Sequence, residues 1–418
     1  MSTERKLKIL FIPLDGYGHI NACAGIAEKL ISRGHQVTFA LERAWKGKAS
    51  QYSDVKEILF VDKTRNPNHG ANDHWIEFMD NFKKQFPLEP FDALKATNVE
   101  LEEQFLYTLI NVDDELTAII AEYKPDVIVC DTYVTIPAVI KSGIPWVWLT
   151  SAAPLISLPS DDLPPSRTGF PTDGDRTIWA EFRALEMQIM EPMGRRFIQR
   201  LKQDFDLDPP PPGMVMHPSP YLNMYAYPEE LDYLDIRPLP NKTWRRFDHF
   251  IRQTESDSTF KIPDEFLQQN LGKLVYVSMG SMGCADYDLM KRLIDILSKS
   301  PNRFIFSLGP LADRLKPLFG SNMFGERFVP QTAVLPLPIL ITPLFADQLD
   351  NAQRAKEKGY GNRVQPYTCE PQELLDMVEQ LLNDQALKKR VEQLSKRLQS
   401  SNSTENAAKA IENLAAEN

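Results

Sequence analysis

The N-terminal stretch constrains the fold more than any other part of the chain. Residues 7–13 form a short apolar run, and a turn carrying two glycines, Asp15-Gly16-Tyr17-Gly18, follows at once. A helix pattern then covers residues 21–33, with Ala24, Ile26, Ala27, Leu30 and Ile31 on one side and Gly34 placed to end it. Residues 36–41 read as a second strand. Strand, helix and strand in that order make a βαβ unit, and such units build parallel sheets.

The same rhythm continues and then restarts. Residues 55–61 fit a third strand, residues 73–123 are largely helical in pattern, and strands follow at 126–131 and 145–150. Residues 154–240 are rich in proline, with a run at Pro209–Pro212, and read as irregular apart from a helix near 177–204. In the second half, strands are expected at 274–279, 303–308 and 338–342, and helices at 287–300, 347–359, 371–383 and 385–416. With 418 residues the chain is too long for one ordinary core. The expectation is two α/β domains facing across a cleft: 1–240, a linker at 241–263, and 264–418 with closing C-terminal helices.

Charge and cysteine usage narrow the partners. The net charge of −10 argues against nucleic acid, which needs a basic face. An anionic small molecule is compatible, because helix N-termini bind phosphate without a basic surface. The four cysteines, Cys23, Cys130, Cys284 and Cys369, are in no metal-ligand pattern and suit free thiols in a reducing compartment. The apolar run at 9–14 is too short for a signal-peptide core, and the C-terminus reads as a polar helix, not a membrane span. A cytoplasmic protein is expected, and nothing in the sequence fixes its oligomeric state.

Four places could carry chemistry. His19 ends the turn after the first strand, where open α/β sheets place ligands, and imidazole is the side chain best suited to take a hydroxyl proton. A histidine bonding its own helix start is the plainer alternative. Asp131 ends the run VIVC and could orient the His19 ring, or it could cap the next segment. Gly280-Ser281-Met282-Gly283 joins a strand to a helix, a common phosphate site but one that every α/β unit contains. Asp347, in Pro343-Leu344-Phe345-Ala346-Asp347-Gln348, is also a good helix cap. The first turn is not Gly-x-Gly-x-x-Gly, which sets aside a nicotinamide-dependent oxidoreductase.

Taken together, DGYGHINA, VSMGSMG, RFVPQTAVL and PLFADQLDNAQR resemble the UDP-glycosyltransferases of GT-B type over nearly the whole chain. The chain looks closest to the soluble, bacterial-like members also found in arthropods. The resemblance implies a metal-free, inverting single displacement that moves a sugar, glucose being the expected one, from a UDP-sugar co-substrate to a small lipophilic hydroxyl compound, as in detoxification. It implies that His19 is the base and Asp131 its partner. Phe328, Val329 and Gln331 then lie where the family holds uracil and ribose, Gly280 and Ser281 by the phosphates, and Asp347 and Gln348 at the sugar hydroxyls. Thr150 would face the sugar from the first domain.

One departure is large. Phe328 to Gln348 spans 21 residues, about 23 fewer than the family's donor motif. The stretch that normally reads His-Gly-Gly-x-Asn-Ser/Thr, and a glutamate after it, have no counterpart, and no histidine follows His249. A strand-loop-helix segment of the second domain is therefore expected to be missing, as a splice or gene-model product or as a true degenerate form. The diphosphate grip goes with it. A relative that binds a lipophilic ligand without catalysis is the alternative reading.

Overall fold

In the computed structural model, residues 5–51, 54–252, 260–269, 271–329 and 338–417 are described. Seven strands form one wholly parallel sheet: β1 (Lys8–Pro13), β2 (Gln36–Glu42), β3 (Lys56–Phe60), β4 (Val127–Asp131), β5 (Trp146–Thr150), β6 (Leu222–Ala226) and β7 (Trp244–Phe247). Their order is β3-β2-β1-β4-β5-β6-β7, so the winding direction reverses between β1 and β4. Every residue of β4 and β5 is buried, as a central parallel strand requires with helices on both faces.

β6 and β7 lie in stretches expected to be irregular or linking. Trp244–Phe247 falls inside residues 241–263, so the first sheet continues through the start of that linker. The reason is tertiary. Trp244 packs edge-to-face on Trp148 of β5, and Asn223 of β6 is buried with its amide bonded to Ser219 and Thr243. Such long-range packing overrides the loop-like local composition.

The second half holds a smaller parallel sheet, β10-β9-β8, from β8 (Leu274–Ser278), β9 (Arg303–Ser307) and β10 (Met323–Glu326). A separate parallel pair joins β11 (Ile339–Ile341) to β12 (Gly361–Arg363). Among the described residues β8 is therefore an edge strand, and none of its five residues is fully buried. A segment from the first half covers part of this region: Met79 and Phe86 are buried in its apolar cluster, and Phe86 stacks on Phe345 at 5.1 Å.

The C-terminal helical stretch is two helices, Gln385–Ser400 and Ser403–Glu417. The last one does not close the second half. Ala407, Ala408, Ile411 and Leu414 are buried in the core of the first sheet, alongside Ile26 and Leu30. Arg33 and His35 bind Glu412 across this seam, with Arg33 Nη2 2.7 Å and His35 Nε2 2.6 Å from its carboxylate. Helix Tyr17–Ser32 also approaches the chain after β7 closely enough that a Cβ on Gly25 would lie 2.1 Å from the Phe250 carbonyl oxygen. Only glycine fits there. No helix among the described residues is long and apolar enough to cross a membrane.

Candidate active site

The first helix begins at Tyr17, earlier than its apolar spacing suggests, because Gly16 supplies the extended N-cap backbone. His19 thus sits in the first helical turn beyond β1, not at the end of a free loop. Pro13 of β1 pairs with Asp131 of β4, and this register brings both residues to the switch point of the sheet. His19 Nδ1 lies 3.1 Å from Asp131 Oδ2. The approach is off the axis of a well-formed hydrogen bond, and Oδ2 has no other partner among the described residues, so the contact acts chiefly through charge. The other oxygen of Asp131 accepts the Ser151 backbone N–H at 3.2 Å.

Two neighbours complete the histidine's surroundings. Ser151 Oγ is 3.0 Å from Nδ1, and the Tyr133 hydroxyl is 3.4 Å from Nε2. Neither was singled out from sequence, yet each follows closely on a residue that was: Tyr133 after Asp131, Ser151 after Thr150. Burial on its own lowers the affinity of His19 for a proton, but Asp131, then Asp347 and Asp15, outweigh it and hold the imidazole above its ordinary value of 6.5. Behind the helix start, burial lifts Asp15 to about 6 despite its 2.7 Å contact with Arg65.

Asp347, expected at the sugar hydroxyls, reaches the same place from the other half. Asp347 opens helix Asp347–Glu357, and Ala346 before it takes a left-handed backbone (φ 51) that a non-glycine residue adopts at a cost. Asp347 Oδ2 accepts the Ala153 N–H at 2.9 Å and also faces Asn351 Nδ2 at 3.2 Å. Gln348 Oε1 accepts the Leu344 N–H at 3.0 Å. The helix thus bonds to the first half with its own side chains. Asp350 accepts from Arg167 and Gly169 backbone N–H groups at 2.7 and 2.9 Å, Glu357 takes Thr172, and Asn351 takes the Tyr227 hydroxyl. Burial raises the Asp350 carboxyl to about 7.

Of the other expected site residues, Phe328, Val329, Gly280 and Thr150 are described. Phe328 is 61% exposed, whereas its neighbour Val329 is buried against Phe266 and Ile305. Gln331 lies outside the described residues. Gly280 has a left-handed φ of 70 and begins a one-turn helix, Gly280–Gly283; the side chain of Ser281 in it lies outside what is described. Thr150 is fully buried, and its hydroxyl has no partner among the described residues. Beside Ser151 opens a cavity of about 320 Å³, lined also by Asn21, Ala226 and Phe250. All four cysteines are free and buried, and among the described residues no cluster of histidine, cysteine and carboxylates could hold a metal ion.

Comparison with known proteins gives a similarity over part of the sequence and a fold for the whole. Residues 336–404 match the family model described as UDP-glucoronosyl and UDP-glucosyl transferase. No curated protein matches. The whole chain superposes on solved glycosyltransferases of low sequence identity. The glycotransferase of kitacinnamycin has a TM-score of 0.71 at 18% identity, covering 99% of this chain and 100% of its own. SnogD from Streptomyces nogalater has a TM-score of 0.59 at 15% identity, covering 98% and 100%. The spinosyn rhamnosyltransferase SpnG complexed with thymidine diphosphate has a TM-score of 0.60 at 15% identity, covering 97% and 100%. Residues 336–404 are thus similar to the UDP-glycosyltransferases, and the whole chain has the GT-B fold.

Proposed function

We propose that this chain transfers a sugar from a UDP-sugar to a hydroxyl of a small lipophilic acceptor, with inversion and in one displacement. The carrying observation is the His19 imidazole held between Asp131 and the Tyr133 hydroxyl, with Asp347 close enough to act on its charge. The acceptor O–H gives its proton to His19 Nε2 while its oxygen bonds to the anomeric carbon. The bond from that carbon to the phosphate oxygen breaks, and UDP leaves with the electron pair. Asp131 stabilises the imidazolium so formed, a counter-charge role that a buried carboxylate fills well. Asp347 and Gln348 are the groups proposed for the sugar hydroxyls, and Phe328 and Gln331 for the uridine. Precedent for a nucleoside diphosphate on this fold comes from the SpnG complex.

The donor end is the weaker half of the site. Each lost hydrogen bond to a charged phosphate removes about 1.5–3 kcal/mol. Two or three such losses weaken the donor by on the order of 10³-fold or more. A second reading is favoured by the engagement of the sugar-end groups: Asp347 and Gln348 are both bonded to backbone N–H groups of the protein itself. In that reading the chain binds a lipophilic ligand and no longer transfers sugar. Calorimetric titration with UDP separates the two. Weak binding, with a dissociation constant of roughly 0.1–10 mM, fits a transferase with a reduced diphosphate grip. No heat and no competition at any concentration favours the binding protein, and low-micromolar affinity contradicts the weakened donor site.

A further inference from the structure

We infer that Tyr133 is a second polar contact for the acceptor hydroxyl, and that with His19 it selects oxygen over nitrogen acceptors. This rests on the transfer reading above and gives it a specificity residue. The inference follows from counting donors and acceptors around one neutral imidazole. Nδ1 faces Asp131 Oδ2 at 3.1 Å and Ser151 Oγ at 3.0 Å. The negative charge of Asp131 favours a proton on the nitrogen that faces it, and Ser151 Oγ can accept from that N–H, so the ring proton belongs on Nδ1 and the lone pair on Nε2. At Nε2 stands the Tyr133 hydroxyl, 3.4 Å away, with its ring edge-to-face to the imidazole at 5.3 Å.

The tyrosine is held there from both sides. Trp148 Nε1 donates to the Thr132 carbonyl at 2.8 Å, and Thr135 is bonded to the Val215 carbonyl and to His217. Burial pushes the phenol well above its ordinary range, so it stays a donor. An acceptor that surrenders its proton to Nε2 must come to the point Tyr133 now contacts. Its attacking atom then lies within reach of the Tyr133 O–H. An alcohol oxygen meets both demands: it donates one proton, accepts from Tyr133 with one lone pair, and keeps the other for the anomeric carbon. A neutral amine has a single lone pair, which cannot both accept from Tyr133 and attack. An ammonium has none.

Benzyl alcohol and benzylamine, which share one skeleton, provide the test. Each is titrated into the full chain and into Tyr133→Phe, and read at the ¹⁵N resonances of His19, assigned with His19→Gln. Tyr133→Phe is expected to shift the Nε2 resonance while the Nδ1–H signal remains. It should weaken benzyl alcohol by about 2- to 13-fold, the range of one net hydrogen bond, and leave benzylamine unchanged. Tyr133→Phe should raise KM for a hydroxyl acceptor by a similar factor, with little change in kcat. Unchanged Nε2 resonance, equal losses for the two ligands, or no response of His19 to benzyl alcohol would each overturn the inference. The transfer reading fails separately, by absence of product from the unmodified chain or by product formation that persists in His19→Gln.

Discussion

At the residue scale the nearness of His19 and Asp131 was legible because sequence alone marks the ends of two apolar strands, and parallel pairing then fixes them side by side. Pro13 against Asp131 in register is enough to bring His19 to the carboxylate. Tyr133 and Ser151 were not legible, since a side chain's direction from a strand end depends on how the following loop is pinned. Asp131→Asn should lower turnover, because the imidazolium loses its counter-charge. It should also shift the pH profile. In the proposed mechanism the neutral imidazole is the active form, so the rate should rise as pH climbs through the His19 pKa. That value lies above 6.5, under the influence of Asp131, Asp347 and Asp15 together. Removing the Asp131 charge lets burial prevail, and the midpoint of the rise should move to lower pH. A pH–rate profile of the two proteins checks this. An unshifted midpoint would mean that Asp131 does not govern His19.

At the scale of elements, helix Asp347–Glu357 was read correctly as the element carrying Asp347 and Gln348, but its role as a clasp was hidden. Asp350 looks in sequence like an ordinary exposed residue of a polar helix; only the fold shows it buried beneath Arg167 and Gly169. Asp350→Ala leaves two backbone N–H groups without their acceptor, at a cost of about 2–4 kcal/mol. Chemical denaturation should register that loss. The pH dependence has a definite sign. A carboxyl raised to about 7 in the folded chain binds a proton there that the unfolded chain has already lost. Its contribution is therefore full below pH ~4 and declines as pH rises towards 7. Relative to Asp350→Ala, the unmodified chain should lose part of its stability margin over that interval; a constant or growing margin would contradict the assignment. β6 and β7 escaped the sequence reading for a related reason. LNMYA places a buried asparagine inside its run, WRRF is very short, and neither has the continuous apolar signature of a central strand.

At the scale of the whole molecule, two α/β units were visible in the repeated rhythm of the chain, while the contacts that join them were not. The last helix docks on the first sheet, and Met79 and Phe86 from the first half enter the core of the second. Both are long-range arrangements with no local signature. In the second half, among the described residues, β8 is an edge strand without a fully buried residue, and β11 and β12 form a separate pair. Short or edge pairings open at lower free energy than central ones. Hydrogen exchange at β8, β11 and β12 should accordingly outpace that at β1, β4 and β5, and uniform protection across both halves would show that the second has closed fully. The most direct test of the account is transfer itself, measured by mass spectrometry of a small phenol incubated with excess protein and millimolar UDP-glucose. The unmodified chain is expected to form the glycoside slowly, and His19→Ala to lose about 10²–10⁴-fold of that rate, the usual share of a general base. Equal rates in the two proteins would contradict the central claim.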